Sequence, residues 1–179
     1  MYLYHWLSYL FDTLLTINKY ILLIIIFVNM NYSSIQVVLQ EVPGEISICF
    51  SICGCQIRCK GCHSPILWKE ENGQQLSIKL YQKTLQKYKG FASCVLFMGG
   101  EWHQKELINH LKYAQKEGYK TCLYTGEKRI DKNLQQHLTW LKTGKWISKK
   151  GGLENPNTNQ QFIDVKTNNI LNHLFLKNY

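Results

Sequence analysis

The most restrictive feature of this sequence is a cluster of cysteines that directly follows a strand-like segment. Five of the seven cysteines fall within residues 49–62 and two stand alone: Cys49, Cys53, Cys55, Cys59, Cys62, Cys94 and Cys122. The disulfide framework of a small secreted domain normally uses an even number of cysteines. A tight group in a chain of 179 residues is more typical of a metal site in a reducing compartment, so we expect a cytoplasmic protein.

Cys55, Cys59 and Cys62 have the spacing C-x3-C-x2-C in the loop after that segment. Three thiolates at this spacing can converge on one cluster. An iron–sulfur cubane normally has four cysteine ligands, so a set of three would leave one iron open to an external ligand. A zinc site with Cys53 or His63 as the fourth ligand is the alternative, and the spacing alone does not distinguish the two.

The remaining cysteines have different surroundings in the sequence. Cys94 and Cys122 lie inside apolar, strand-like runs, which predicts buried thiols. Cys49 alternates with apolar residues in the strand-like segment and is interpreted in the same way. For Cys53 the sequence leaves two interpretations, a competing ligand and an inert thiol.

Short β-rich runs alternate with helical patterns after residue 30, which is the signature of β/α units around a parallel sheet. Strands are predicted over residues 45–52, 93–98, 119–124 and 161–165. Helices are predicted over residues 76–88, 103–117 and 131–138, with a terminal helix after the last strand. The sequence therefore predicts a single α/β domain over residues 30–179.

Residues 1–29 differ from the rest of the chain in composition. Twenty-one of them are apolar, and their two charges, Asp12 and Lys19, cancel. The longest unbroken apolar run, residues 20–28, is shorter than the roughly 20 residues that a membrane-spanning helix needs. The segment also lacks the basic start and the small-residue cleavage site of a signal peptide. We interpret it as a non-native extension before a natural start at Met30; a membrane-surface anchor is the alternative.

The excess of basic residues does not select a partner. The chain has 21 basic and 12 acidic residues, a net charge of +9. The basic residues are scattered, with one doublet at Lys149 and Lys150 and only two arginines, Arg58 and Arg129. Because diffuse positive charge is typical of a solvated face, we predict neither a nucleic-acid partner nor a membrane partner.

A second motif follows the next predicted strand, where Gly99, Gly100 and Glu101 come directly after residues 93–98. This motif places a backbone without side chains at the carboxyl edge of the sheet, where ligands of β/α folds bind. A zinc site has no need of such a turn. The motif and the cysteine loop one β/α unit earlier together favour an iron–sulfur cluster with a bound cofactor.

The two motifs resemble the radical S-adenosylmethionine (SAM) superfamily, whose members carry C-x3-C-x2-C after the first strand and Gly-Gly-Glu after the second. From about residue 38 to 162, the sequence further resembles the small activating enzymes of anaerobic (class III) ribonucleotide reductases. The segments that carry this resemblance are residues 40–45, 58–65, 97–102, 122–126, 151–153 and 158–160. Two positions depart from the superfamily pattern: His63 replaces a common aromatic residue, and Cys53 precedes the triad.

The resemblance implies a fold and a set of cofactor contacts. The implied fold is an abbreviated radical-SAM partial (β/α) barrel with a parallel sheet. Three irons of a [4Fe-4S] cluster would be ligated by Cys55, Cys59 and Cys62. SAM would chelate the fourth iron, with its methionine end on Gly99, Gly100 and Glu101. Its adenine side would contact the segment Gly61, Cys62 and His63.

The implied activity is that of a radical-generating oxidoreductase. One electron from an external reductant cleaves SAM, and the resulting 5′-deoxyadenosyl radical takes a hydrogen atom from a glycine of the anaerobic ribonucleotide reductase. The alternatives are a formate-lyase-type activase, a small modified-nucleoside synthase, a zinc-binding nucleic-acid module and a purely structural cluster protein. Because so short a chain has few β/α units after the cluster, we expect an open sheet edge that admits a protein substrate.

Overall fold

The computed structural model describes residues 30–176, so the predicted extension over residues 1–29 lies outside the described residues. The described chain forms a seven-stranded sheet with the strand order β3-β1-β2-β4-β5-β6-β7. The strands are β1 (Asn31–Val38), β2 (Ser47–Ile52), β3 (Gln74–Gln75), β4 (Cys94–Met98), β5 (Lys120–Tyr124), β6 (Trp140–Thr143) and β7 (Gln161–Asp164). The helices are α1 (Ile78–Lys87), α2 (Gln104–Lys116) and α3 (Lys132–Gln135).

The fold is mixed α/β, and the predicted parallel sheet is confined to its centre. β2, β4 and β5 are parallel neighbours, as the alternation of strands and helices predicts, and β6, which the sequence does not predict, is also parallel to β5. β1 and β3 pair antiparallel at one edge and β7 at the other. The connection from β1 to β2, residues 39–46, is too short for the crossover that parallel neighbours require, so this pair is a hairpin.

The two longer helices begin and end close to their predicted positions. Ser77 caps the start of α1, where its Oγ accepts a hydrogen bond from a backbone N–H of the first turn. Gly118, with φ of +86°, follows the end of α2 in the left-handed conformation. The predictions over residues 76–88 and 103–117 are confirmed to within two residues at each end. No helix in the described part of the chain is both long and apolar enough to span a bilayer.

Two helix predictions in the second half of the chain are wrong in extent. α3 covers only half of residues 131–138, and the predicted terminal helix is a short 3-10 turn, Asn172–Phe175. The Asn172 side chain accepts from the backbone N–H of Phe162 at 2.8 Å and donates to the carbonyl of Gln160 at 2.8 Å. This side chain ties the 3-10 turn to β7 and the residue before it.

The sheet has one helix-covered face and one face that we call the inner face. On the first, strand residues such as Phe97 pack against α1, α2 and α3 in the larger core. The inner face carries the alternate strand residues and is covered by loops, for example through Val42. Cys49, Cys94 and Cys122 lie there, and each is at most 3% exposed. The prediction that these three are buried thiols is confirmed.

Candidate metal and cofactor site

The cysteine loop follows β2, and backbone hydrogen bonds join the start of the loop to Leu67. The backbone N–H groups of Cys55 and of the residue before it both donate to the carbonyl of Leu67, at 2.9 and 2.8 Å. Arg58 adopts a left-handed conformation with φ of +45°, and the N–H of Cys62 donates to the Cys59 carbonyl at 3.1 Å. These turns fold the loop back over the carboxyl end of the sheet.

The three spaced cysteines, Cys55, Cys59 and Cys62, line a single cavity of about 210 Å³ at the carboxyl ends of the central strands. All three are partly exposed free thiols. Burial raises the pKa of Cys55, and backbone N–H groups of the loop partly offset this effect. The backbone N–H of Ser64 donates to Sγ of Cys62 at 3.4 Å. The structure therefore brings together the three thiols of the predicted triad.

Cys53 lies outside that cavity although it is only two residues from the triad. Its side chain is fully buried, and a Cβ added to Gly73, next to β3, would lie 2.8 Å from its Sγ. Cys53 therefore packs under the β3 edge of the sheet. Cys53 therefore does not share the cavity of the three spaced cysteines.

Gly99 and Glu101 line the same cavity as the cysteines. Gly99 and Gly100 have φ of +79° and +105°, in the region that favours glycine. A Cβ on Gly99 would lie 2.6 Å from the Trp102 ring, and a Cβ on Gly100 would lie 3.3 Å from the side chain of Ile52. The turn thus needs both glycines for conformation and for space, but Gly100 packs on the core side of it.

Glu101 presents one bonded and one free carboxylate oxygen. The hydroxyl of Thr125 donates to Oε1, whereas Oε2 is buried and has no hydrogen-bond partner among the described residues. Burial raises the pKa of Glu101 and outweighs the opposite effect of the Thr125 hydrogen bond. Because a buried acceptor without a partner is costly, Oε2 fits a ligand that brings a donor into the cavity.

A second cavity of about 490 Å³ adjoins the first. Met98, Tyr124 and Lys142, at the carboxyl ends of β4, β5 and β6, line both cavities. The segments 40–41 and 152–154 line only the second. The carboxyl end of the inner face therefore offers two adjoining spaces, one beside the cysteines and a larger one beyond it.

The two remaining predicted contact residues, Gly61 and His63, lie around the rim of the cysteine cavity. His63 lines the second cavity, and its ring lies 4.2 Å from the ring of Trp146, centre to centre. Gly61 faces outward, and a Cβ on it would lie 3.8 Å from Nε1 of Trp146. The structure thus brings Cys55, Cys59, Cys62, Gly99 and Glu101 into one cavity but not Gly61, His63 or Gly100.

Lys142 is a candidate site residue that the sequence does not reveal. Burial lowers its pKa to about 8, and the nearby charge of Cys59 opposes this change. Its ammonium donates to the carbonyl of Gly144 at 3.3 Å. The sequence predicts no strand over residues 140–143, and only the alternation of β6 places Lys142 on the inner face. A strand prediction there is the signal that would have found it.

The donor set fits an iron–sulfur cluster better than a zinc ion. Thiolates around one tetrahedral zinc lie about 4 Å apart. Within residues 30–176, no three His, Cys, Asp or Glu side chains lie close enough to hold a single metal ion. Both proposed fourth zinc ligands, Cys53 and His63, lie outside the cysteine cavity. The three thiols instead line one cavity, and the thiolate ligands of a multi-iron cluster likewise bind different irons of one group.

Comparison with known proteins agrees with this chemistry. The chain is 31% identical over 93 residues, 49% of its length, to the pyruvate formate-lyase-activating enzyme of Clostridium pasteurianum. The match covers 39% of that enzyme, so the chain spans about two fifths of the relative's length. Residues 43–166, which include the cysteine loop, the Gly-Gly-Glu turn and all four parallel strands, match the 4Fe-4S single cluster domain family. The chain belongs to the 4Fe-4S single cluster domain family.

Proposed function

We propose that this protein is a radical SAM activase that generates a glycyl radical on an anaerobic ribonucleotide reductase in the cytoplasm. The observation that carries the proposal is the shared cavity. Cys55, Cys59 and Cys62 line it together with Gly99 and Glu101, so cluster ligands and cofactor contacts adjoin. In this proposal the mixed sheet is an abbreviated radical-SAM partial barrel whose inner face holds the reactants.

Cys55, Cys59 and Cys62 would hold three irons of a [4Fe-4S] cluster, because they are the three thiols that line the cavity. The described residues offer no fourth thiol there, since Cys53 packs against Gly73. One iron would therefore accept the amino and carboxylate groups of SAM. The cluster and SAM, when bound, would supply one-electron cleavage of the sulfonium, which yields the organic radical that takes a hydrogen atom from glycine.

The residues around the cavity would bind and orient SAM. The free Oε2 of Glu101 would accept a hydrogen bond from its ammonium group, while Thr125 holds the carboxylate by Oε1. Gly99 would allow the methionine end to approach the backbone closely. His63 and Trp146, which pack on each other at the rim, would cover the adenine side.

The second cavity supports the proposal that the substrate is a protein. It opens beside the cysteine cavity, and Met98 and Tyr124 line both spaces, so a loop in the second cavity would lie next to the proposed cofactor. Two of the segments that resemble ribonucleotide reductase activases line this second cavity. Residues 151–153 line it with Gly152 and Leu153, and residues 158–160 line it with Gln160. These contacts support the reductase as the glycine-bearing partner. Closure by that partner would also exclude water from the radical.

Pyruvate formate-lyase is the second candidate partner. The relative from Clostridium pasteurianum is named for activating that enzyme, and the identity of 31% extends over 93 residues. The chemistry at the cysteine cavity would be the same for either partner. Only the contacts made at the second cavity would differ.

The test is anaerobic incubation of the iron-loaded protein with SAM, a reductant and either glycyl-radical enzyme, followed by electron paramagnetic resonance. We expect a glycyl-radical doublet on the class III reductase and a much weaker one on pyruvate formate-lyase. A strong doublet on the lyase alone would identify pyruvate formate-lyase as the partner. Cleavage of SAM that leaves no radical on either protein would contradict the activase function.

A further inference from the structure

A third cavity, of about 650 Å³, lies on the outer side of the cysteine loop. Four cationic side chains line it, and all four are exposed: Arg58, Lys60, Lys145 and Lys149. We call these four side chains the basic surface. None of the described residues that line this cavity is acidic. The charge that looks diffuse in the sequence is therefore locally concentrated here.

The basic surface is not neutralised by the protein itself. Two lysines elsewhere are closely paired: Lys89 lies 2.7 Å from a carboxylate oxygen of Glu117, and Lys120 lies 2.5 Å from one of Glu45. Among residues 30–176, no member of the basic surface forms such a pair. Uncompensated cations around one concave site create a positive potential that attracts and steers an acidic partner.

The basic surface adjoins the proposed cluster site. Cys59 lines both the third cavity and the cysteine cavity, so one side of this residue faces each space. The second cavity, proposed for the glycine-bearing protein, shares Trp146 with the third cavity but is lined by none of the four cations of the basic surface. A protein bound at the basic surface would thus come close to the cluster without blocking the substrate.

We infer that the basic surface docks an acidic one-electron carrier protein, which reduces the cluster at the Cys59 side of the loop. The inference rests on the proposed function, which needs an electron from outside the chain. In this step the reduced carrier loses one electron and the cluster gains it, and no bond or proton is transferred. The carrier and the glycine-bearing protein then bind at separate faces.

The local chemistry favours an acidic protein over a nucleic acid. Proteins that bind single-stranded nucleic acid combine cations with aromatic rings on which bases stack. The aromatic residue that lines the third cavity, Trp146, packs against His63, and its indole nitrogen is buried. The cations also surround one compact cavity and do not follow an extended groove.

The test is the rate of cluster reduction by a photoreduced flavodoxin, a small acidic carrier, measured by stopped-flow absorbance at low and high salt. The variant is Lys60→Glu with Lys149→Glu. We expect its second-order rate constant to fall at least about tenfold at low salt, with a weaker salt dependence than the unmodified protein. A matched control is Lys79→Glu with Lys83→Glu, two exposed positions on α1 that change the net charge equally.

Two further readings separate this inference from the proposed function. Iron content and the extent of reduction by excess dithionite should be the same in all three proteins. If the unmodified protein holds no reducible cluster, the proposed function fails and this inference fails with it. If the cluster is fully reducible, equal rates in the variant and the unmodified protein would overturn the inference alone.

Two other outcomes would also overturn the inference. An equal fall in rate in the Lys79/Lys83 control would show that net charge, and not the basic surface, governs the encounter. Loss of binding to a single-stranded oligonucleotide in the Lys60/Lys149 variant, with an unchanged rate of reduction, would identify nucleic acid as the occupant.

Discussion

The strands of the inner face and the loop at its carboxyl end use the same residue type in opposite ways. Within the strands, Cys49, Cys94 and Cys122 are buried in the core, and burial raises the pKa of Cys49 and of Cys94 to about 12. At the carboxyl end, the loop cysteines are partly exposed around a cavity. Because the thiolate is the metal ligand, a thiol that burial keeps protonated is a poor one.

This difference shows that position in the sheet, and not the presence of cysteine, decides the chemistry. The parallel strands present their carboxyl ends at one edge, where loops leave a space for ligands. Lys142 and Tyr124 lie in the last row of side chains at that edge and line both cavities. Cys122, two residues before Tyr124 on the same face, is fully buried.

The largest expected effect comes from replacing single cysteines by alanine, in the loop and in the strands. Cys59→Ala should abolish cluster loading, because two thiols cannot replace three, and so should the same change at Cys55 or Cys62. Cys94→Ala should keep about four iron and four sulfide per chain and lose only about 1 kcal/mol of stability. Iron and sulfide analysis after anaerobic reconstitution measures both. A full cluster in Cys59→Ala would contradict the assignment of ligands.

The next effect concerns two glutamates at opposite ends of the sheet, Glu101 and Glu45. Glu101→Gln should weaken SAM binding roughly 10- to 100-fold while the cluster stays intact, because a charge-assisted hydrogen bond to Oε2 is lost. Glu45→Gln, 8% exposed and paired with Lys120 at the amino end, is the control and should leave SAM affinity unchanged. Equilibrium dialysis with labelled SAM distinguishes them. Equal affinities in both variants would exclude Glu101 as a contact.

A smaller effect is expected at Lys142, the half-buried cation at the carboxyl end. Its folded-state pKa of about 8 lies below its unfolded value of 10.5, so the unfolded chain binds more protons between these values and stability rises with pH there. Lys142→Met should therefore stabilise the cluster-free protein by roughly 1–3 kcal/mol near pH 7. The advantage should shrink as pH rises above 8. Urea unfolding of both proteins across this range is the measurement; a constant difference would disprove the shifted pKa.

The smallest expected effect is that of removing residues 1–29. A chain that begins at Met30 should bind iron and generate radicals as well as the full chain, since every proposed site residue follows Met30. A chain that begins at Tyr32 is the control, because it loses Met30, whose side chain is 2% exposed and packs near Gly100. That control should lose about 2–4 kcal/mol of stability. Loss of activity in the Met30 chain would revive the membrane-anchor interpretation.

The sequence predicts the elements whose pattern is local. A few residues are enough to recognise the continuous apolar run of β4, the periodicity of α2 and the cysteine spacing. The Gly-Gly-Glu turn is also local, because positive φ at Gly99 and Gly100 requires glycine. These elements carry most of the cysteine cavity, which is why its triad is predictable.

The elements that escape prediction depend on distant partners. Half of the residues of β1 are polar, and its pairing with β2 and β3 gives it its structure. β6 has only four residues, so its alternation is too short to recognise and Lys142 is missed. Cys53 is decided by its packing against Gly73, twenty residues later in the chain. No local pattern contains these contacts.

The most direct test of the central claim, that the loop thiols leave one iron open for SAM, is electron paramagnetic resonance of the reduced protein with and without SAM. The account predicts a [4Fe-4S] signal that changes on SAM addition, persists in Cys53→Ala and Cys94→Ala, and is absent from Cys55→Ala. A reduced cluster whose signal is identical with and without SAM would contradict the claim, as would a colourless protein that contains zinc.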